Sequence, residues 1–144
     1  MRRLAFVLAA LIAAVVVTAT SALATSAHFN VAKVTSVTSN SITVAFKEAG
    51  LGNSLNSVNI SVAGTAECIN GGGNHPKAGN KAAESASGTF NVSNGQATGS
   101  LTMTAANLSC SPPMVIAWTD LVVTDTTFND SASIPGTFFP GFTG

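Results

Sequence analysis

The chain has 144 residues, of which 46% are hydrophobic and only 8% are charged. Soluble domains average about 25% charged residues, so this sequence is unusually poor in charge. Six Lys and Arg balance six Asp and Glu, which excludes the basic surface that non-specific nucleic-acid binding requires. The high hydrophobic content excludes a disordered chain, and the length predicts a single domain.

The first 27 residues have the pattern of a secretory signal peptide. Two arginines follow Met1, and the 14 residues 4–17 are all apolar, fewer than the roughly 20 that cross a bilayer. Small residues come next and allow cleavage after Ala24 or after Ala27. We therefore predict a secreted, extracellular protein without a membrane span after processing, in which residues 28–144 form one β-sandwich domain.

Removal of the signal segment changes the charge balance. The two arginines leave with it, so four lysines face six acidic residues and the predicted mature net charge is −2. Such a weakly acidic surface indicates no particular partner. A cell-surface component and a second copy of the chain both stay open.

Cys68 and Cys110 are the two cysteines of the chain. An isolated pair in an oxidising compartment usually forms a disulfide. The separation of the two residues differs from the C-x-x-C spacing of redox and metal-thiolate sites. We therefore predict one disulfide bond.

Alternating apolar and polar residues indicate antiparallel strands along most of the mature chain. The alternation is regular at 42–47 and at 58–63, as in strands with one buried face. The segment Val115–Val123 is apolar on both faces and contains Trp118, which suits a central strand. We predict an all-β, immunoglobulin-like β-sandwich of about six to eight antiparallel strands.

Asn94-Gly95 is the strongest local turn signal. Both residues tolerate positive φ, so the dipeptide predicts a two-residue type I′ turn. With Ser93 opposite Gln96, Phe90 lies opposite Gly99, and one face of the predicted hairpin is entirely non-polar while the other is polar. We therefore predict that the two flanking strands pair in this register.

Two further elements follow from turn signals near the ends of the mature chain. A second hairpin is predicted to join Val31–Val37 to Ser41–Lys47 through Ser39-Asn40. The tail after Asn129 contains two prolines and two glycines. It is predicted either to add an edge strand around Gly136–Phe139 or to fray.

The segment after Cys68 is the most unusual of the chain. Three successive glycines allow backbone amides to converge on an anion, although the order of residues is not that of a P-loop. The alternative is a long loop whose turns require glycine. The candidate ligand loop comprises Asn70, Gly71, Gly72, Gly73, Asn74, His75, Lys77 and Lys81.

This loop carries a resemblance to a group of known sequences. The motif Cys68-x-Asn70-Gly71-Gly72-Gly73-Asn74-x-Pro76, with Cys110-x-Pro112-Pro113 later in the chain, resembles small secreted actinobacterial β-rich proteins of uncharacterised function. The resemblance implies a secreted β-rich domain with a disulfide. It implies no activity and assigns no site residue.

The two histidines define an alternative reading. Cleavage after Ala27 would make His28 the mature N-terminus, whose amine and imidazole bind copper well, and His75 could complete the site. Cleavage after Ala24 would leave His28 as the fourth residue, and both histidines would then be surface residues. Apart from this copper alternative, no cofactor or metal is predicted.

The acidic residues form no recognisable catalytic pattern. The odd spacing of Asp120 and Asp125 places them on opposite faces of a strand, so they cannot act as a carboxylate pair without a bend. Glu67 and Glu84 flank the glycine-rich loop, and nothing in the sequence requires them to meet. The G-x-S-x-G elbow of many hydrolases is absent from the sequence. We therefore predict a protein that is not an enzyme.

These observations support a secreted, non-catalytic extracellular module that binds or self-assembles at the cell surface. The first alternative is a small copper-binding or redox protein that uses His28 as its N-terminus. The second alternative is a secreted enzyme inhibitor that presents the glycine-rich loop.

Overall fold

The computed structural model describes residues 26–70 and 80–141. Within these ranges the chain is all-β, without an α-helix. Its seven strands are β1 (His28–Val37), β2 (Ser41–Ala49), β3 (Ser57–Ile69), β4 (Lys81–Asn91), β5 (Ala97–Thr104), β6 (Val115–Asp125) and β7 (Asp130–Ile134).

The strands form two antiparallel sheets, with the orders β1-β2-β5 and β4-β3-β6-β7. This architecture confirms the predicted β-sandwich and its number of strands. In constant-type immunoglobulin domains the fourth strand lies in the same sheet as the fifth. Here β4 pairs with β3 instead, so β4 lies in the four-stranded sheet and β5 in the three-stranded sheet.

The hairpin between β1 and β2 forms as predicted. Val37 lies opposite Ile42, and the Thr38 N–H donates to the Ser41 carbonyl at 2.9 Å. The inward residues of β2 alternate with more exposed ones. The period-two pattern of the sequence therefore identified the buried face correctly.

The predicted pairing of β4 with β5 is wrong, although the turn between them is correct. Asn94 and Gly95 have φ values of 51° and 69°, as a type I′ turn requires. Ser93 and Gln96 exchange two backbone hydrogen bonds, of 2.8 and 3.0 Å. Beyond this pair the strands separate into different sheets, and their non-polar faces meet across the sandwich interior.

Aromatic packing explains why β4 and β5 face each other rather than pair. The ring of Phe90 lies directly over Gly99, in space that a Cβ on Gly99 would occupy. The same ring meets Phe46 edge to face, with centroids 4.7 Å apart. Gly99 in turn lies opposite Phe46 in the β2–β5 ladder. The predicted contact between Phe90 and Gly99 is therefore real, but it joins the two sheets.

The C-terminal tail adds an edge strand earlier than the predicted Gly136–Phe139. Strand β7 pairs with β6 from Asp130 to Ile134. Further along, Phe138 forms an isolated bridge to Trp118, whose backbone N–H donates to the Phe138 carbonyl at 2.7 Å. Trp118 is fully buried, and β6 lies between β3 and β7, as predicted for a central strand.

The predicted disulfide is confirmed. Cys68 near the end of β3 is bonded to Cys110 in the connection between β5 and β6, with the Cα atoms 5.5 Å apart. Cys68 is 2% exposed. The bond therefore fixes the start of the glycine-rich segment to the β5–β6 connection, which passes from one sheet to the other.

Candidate functional site

Most of the candidate ligand loop lies outside the described residues. Gly71, Gly72, Gly73, Asn74, His75 and Lys77 fall in the segment 71–79, so their predicted roles stay predictions. The structure places the two ends of the loop. Asn70 follows β3, and Lys81 begins β4.

A partly buried ion pair lies at the base of this loop. Glu67 is opposite Lys81 in the β3–β4 ladder, and the Lys81 Nζ lies 2.7 Å from Glu67 Oε2. The Glu67 side chain is fully buried, whereas the Lys81 side chain is 37% exposed. A charged group as buried as Glu67 is usually paired. The Lys81 side chain, by contrast, remains partly accessible to solvent. Lys81 was predicted as a site residue, but its partner was not.

A β-bulge in β6 changes the outer surface of the four-stranded sheet beside this ion pair. Thr65 pairs with Thr119, and Ala63 pairs with Val122, so the two residues 120–121 oppose the single residue Gly64. Asp120 has a φ of 53°. A Cβ at Gly64 would lie 2.5 Å from a methyl group of Leu121, so glycine is needed for Leu121 to enter the core.

The C-terminal tail separates from β6 beside this bulge, and a cavity lies between the tail and β6. Ile134 pairs with Leu121, and Phe138 bridges to Trp118, so three tail residues pass two residues of β6. We call the resulting cavity, of about 710 Å³, the β6–β7 cavity. It is lined by Glu67, Lys81, Thr119, Asp120, Leu121, Val122, Ser133, Ile134, Pro135, Gly136 and Thr137.

The lining of the β6–β7 cavity combines several kinds of polar group on an apolar floor. Asp120 provides an exposed carboxylate acceptor, Lys81 provides a donor, and Thr119 provides a hydroxyl that does both. The Glu67 carboxylate also lines the cavity but is fully buried and paired with Lys81. The Thr119 hydroxyl already donates to Asp120 Oδ2 at 3.3 Å. Among the described side chains that line the cavity, two acidic groups face one lysine. The cavity therefore suits a hydrogen-bonding ligand better than an anionic one.

The copper alternative has limited support in the described residues. The His28 Nδ1 lies 2.6 Å from the Ser26 carbonyl oxygen, and His75 lies outside the described ranges. Over residues 26–70 and 80–141, no three side chains of His, Cys, Asp or Glu converge as a metal site would require. The pairing of His28 with His75 stays a prediction.

A buried carboxyl cluster joins the two sheets inside the sandwich. Glu48, on the inner face of β2, and Asp125, on the inner face of β6, are both fully buried. Asp130 is opposite Asp125 in the β6–β7 ladder. Asp120 is exposed while Asp125 is buried, so the predicted separation of these two aspartates is correct. The meeting of Asp125 with Glu48 was not predicted.

The surroundings of Glu48 favour its protonated form. Burial raises the pKa of Glu48 to about 8, with further contributions from the charge of Asp125, a hydrogen bond to Asp125 and the charge of Asp130. No donor among the described residues contacts either carboxyl oxygen of Glu48 or the Asp125 Oδ2. A hydrogen bond between the two carboxyl groups therefore requires a proton on one of them. The Asp125 Oδ1 accepts the Thr127 N–H at 2.6 Å.

Comparisons with known proteins found no matching family model, no similar curated protein and no similar solved structure. Over the described ranges there is also no helix with the length and apolar character needed to span a membrane.

Proposed function

We propose that the protein is a secreted, non-catalytic β-sandwich module that binds a hydroxyl-rich component of the cell surface, of the glycan class, in the β6–β7 cavity. The observation that carries the proposal is the Glu67–Lys81 ion pair, which lies at the base of the glycine-rich loop and lines this cavity. The disulfide suits an oxidising compartment. The signal-like N-terminus and the resemblance to small secreted actinobacterial proteins support the same compartment.

The chemistry of the cavity favours sugars over other ligands. Sugar hydroxyls both donate and accept hydrogen bonds, so they match a lining in which carboxylates, an ammonium group and hydroxyls are mixed. The volume of about 710 Å³ lies within the range of roughly 300–1,000 Å³ that is usual for small-ligand sites. The partly exposed Val122 and the exposed Pro135 offer apolar surface for the C–H face of a sugar ring.

Thr119→Val is the most direct test of this site, because it removes the hydroxyl but keeps the shape of the side chain. We expect the purified protein to retain oligosaccharides on a glycan array, and Thr119→Val to weaken binding of each retained sugar at least tenfold in calorimetry. Thr124→Val is the matched control, since Thr124 lies on β6 outside the cavity lining. An array without hits would overturn the proposal, as would equal affinities of the two variants.

The secreted protein is expected to begin at Thr25. The Ser26 backbone packs so closely against Gly50, whose φ is 77°, that a Cβ on Gly50 would collide with it, and Ala27 packs against the core. Cleavage after Ala27 would remove both contacts, whereas cleavage after Ala24 keeps them. Intact-mass measurement and N-terminal sequencing of the exported protein test this expectation. A mature chain that begins at His28 would contradict it and would favour the copper alternative.

A further inference from the structure

The sandwich has four strands at sheet edges, and three of them carry features that oppose pairing with another chain. Strand β1 contains Lys33 and two register shifts in its ladder with β2. Strand β4 contains Lys81 and the partly buried Glu84. Strand β7 has only five residues and is followed by Pro135. Charges, bulges, proline and short length are the devices that natural proteins use to protect edges.

Strand β5 has none of these features. Its eight residues include no charged residue and no proline, and its ladder with β2 runs without a register shift from Thr104 to Ala97. The inward residues Gly99 and Leu101 are half-buried, while the outward residues are exposed. This edge is therefore long, regular and neutral.

The backbone of β5 presents hydrogen-bonding groups at this edge. The Ala105 N–H donates to the Asn40 carbonyl at 2.9 Å, on the side of β2. Because backbone groups of successive residues point to alternate sides of a strand in an antiparallel ladder, the N–H and C=O groups of Thr98, Ser100 and Thr102 point to the open side. A partner strand would bond to these three residues.

We propose that two copies of this chain pair through β5, antiparallel and about a two-fold axis at Ser100, to form one continuous six-stranded sheet. This register places Thr98 of each copy opposite Thr102 of the other, and hydroxyl pairs of this kind are favourable across strands. It also places Gly99 opposite Leu101 on the inner face, where the Phe90 ring of the same copy already covers Gly99. The same patch serves both copies, as a closed two-fold interface requires.

Proline substitution tests this edge without breaking the ladder to β2. The Ser100 N–H points away from β2, so Ser100→Pro removes no bond within the protein, and proline is tolerated on an edge of this kind. Ser85→Pro is the matched control on β4. The Val92 N–H donates to the Asn56 carbonyl of the connection before β3, at 2.9 Å, so alternation places the Ser85 N–H on the open side of β4.

Analytical ultracentrifugation of the purified protein, from low micromolar to about millimolar concentration, gives the readout. We expect the average mass to rise toward twice the monomer mass for the unchanged protein and for Ser85→Pro, and to stay at the monomer mass for Ser100→Pro. Amide exchange at Thr98, Ser100 and Thr102 should slow as concentration rises. A second variant, Ser100→Lys, should also remain monomeric, because it brings two lysines together at the two-fold axis. Its control, Ser85→Lys, should associate like the unchanged protein.

The proposal is overturned by a protein that stays monomeric at the highest concentration. It is also overturned if Ser100→Pro associates like the unchanged protein or if Ser85→Pro prevents association equally. This inference goes beyond the proposed glycan binding and does not depend on it, because β5 contributes no residue to the β6–β7 cavity. A monomeric Ser100→Pro variant should therefore keep its affinity for sugar.

Discussion

Between pH 5 and pH 8, the free energy of unfolding should fall relative to that of Glu48→Gln by up to about 1.4 kcal/mol per pH unit. The cause is the raised pKa of Glu48, which is about 8 in the folded protein against an ordinary value of 4.5. Across this window the folded state keeps a proton on Glu48 that the unfolded chain has released. Because the folded state binds more protons, its stability decreases as the pH rises.

The Glu48→Gln variant isolates this effect. Its amide has nearly the shape of the protonated carboxyl group and can donate to Asp125 at any pH. The variant should therefore be close to the unchanged protein in stability near pH 5 and more stable near pH 8 by a few kcal/mol. Groups remote from Glu48 titrate alike in both proteins and cancel in the comparison.

Urea unfolding at several pH values measures the two free energies. A carbon-13 titration of the Glu48 side chain should give a midpoint near pH 8, as the raised pKa requires. Parallel stability curves for the two proteins would contradict the prediction, as would a midpoint near the ordinary value of 4.5.

Loss of the Cys68–Cys110 bond should lower the unfolding free energy by about 4 kcal/mol. The bond closes a loop across a sequence separation of 42 residues, and closure of a loop of this size removes much of the entropy of the unfolded chain. Typical domains of this size have stabilities of about 5–15 kcal/mol, so the double variant Cys68→Ala/Cys110→Ala should be markedly less stable.

Chemical denaturation of the double variant, of the oxidised protein and of the reduced protein gives the test. The reduced protein should unfold at nearly the same denaturant concentration as the double variant, since both lack the same constraint. A loss below about 1 kcal/mol in both would show that the bond contributes little to stability. A loss in the double variant alone would instead assign the effect to packing around the buried Cys68.

Local patterns in the sequence predicted the buried faces of β2, β3, β4 and β5, but they did not predict that β4 and β5 lie in different sheets. The alternation on either side of Asn94-Gly95 placed Phe90 next to Gly99, and the structure confirms that contact. Two strands that each have a non-polar face can pair side by side in one sheet or pack face to face from two sheets. The sequence alternates with a period of two in both cases. The separation of β4 from β5 depends on partners far along the chain, β3 and β2.

The candidate site was predictable only in part, for a similar reason. Lys81 was identified from its place beside the glycine-rich loop. Its pairing with Glu67 depends on the β3–β4 register, and the cavity depends on a one-residue bulge opposite Gly64. The meeting of Glu48 with Asp125 joins residues on different sheets, which no local pattern in the sequence could indicate.

The separation of β4 from β5 also determines how the molecule closes. A ladder between these two strands, together with one between β1 and β7, would join the two sheets into a closed barrel without edges. Among the described residues, Ser93–Gln96 is the only backbone pair that forms between the segments of β4 and β5. Beyond it, the two strands lie in different sheets, and the Phe90 ring covers the inner face of Gly99. The two sheets are therefore not joined between β4 and β5 or between β1 and β7, so the described chain stays a sandwich with four edge strands.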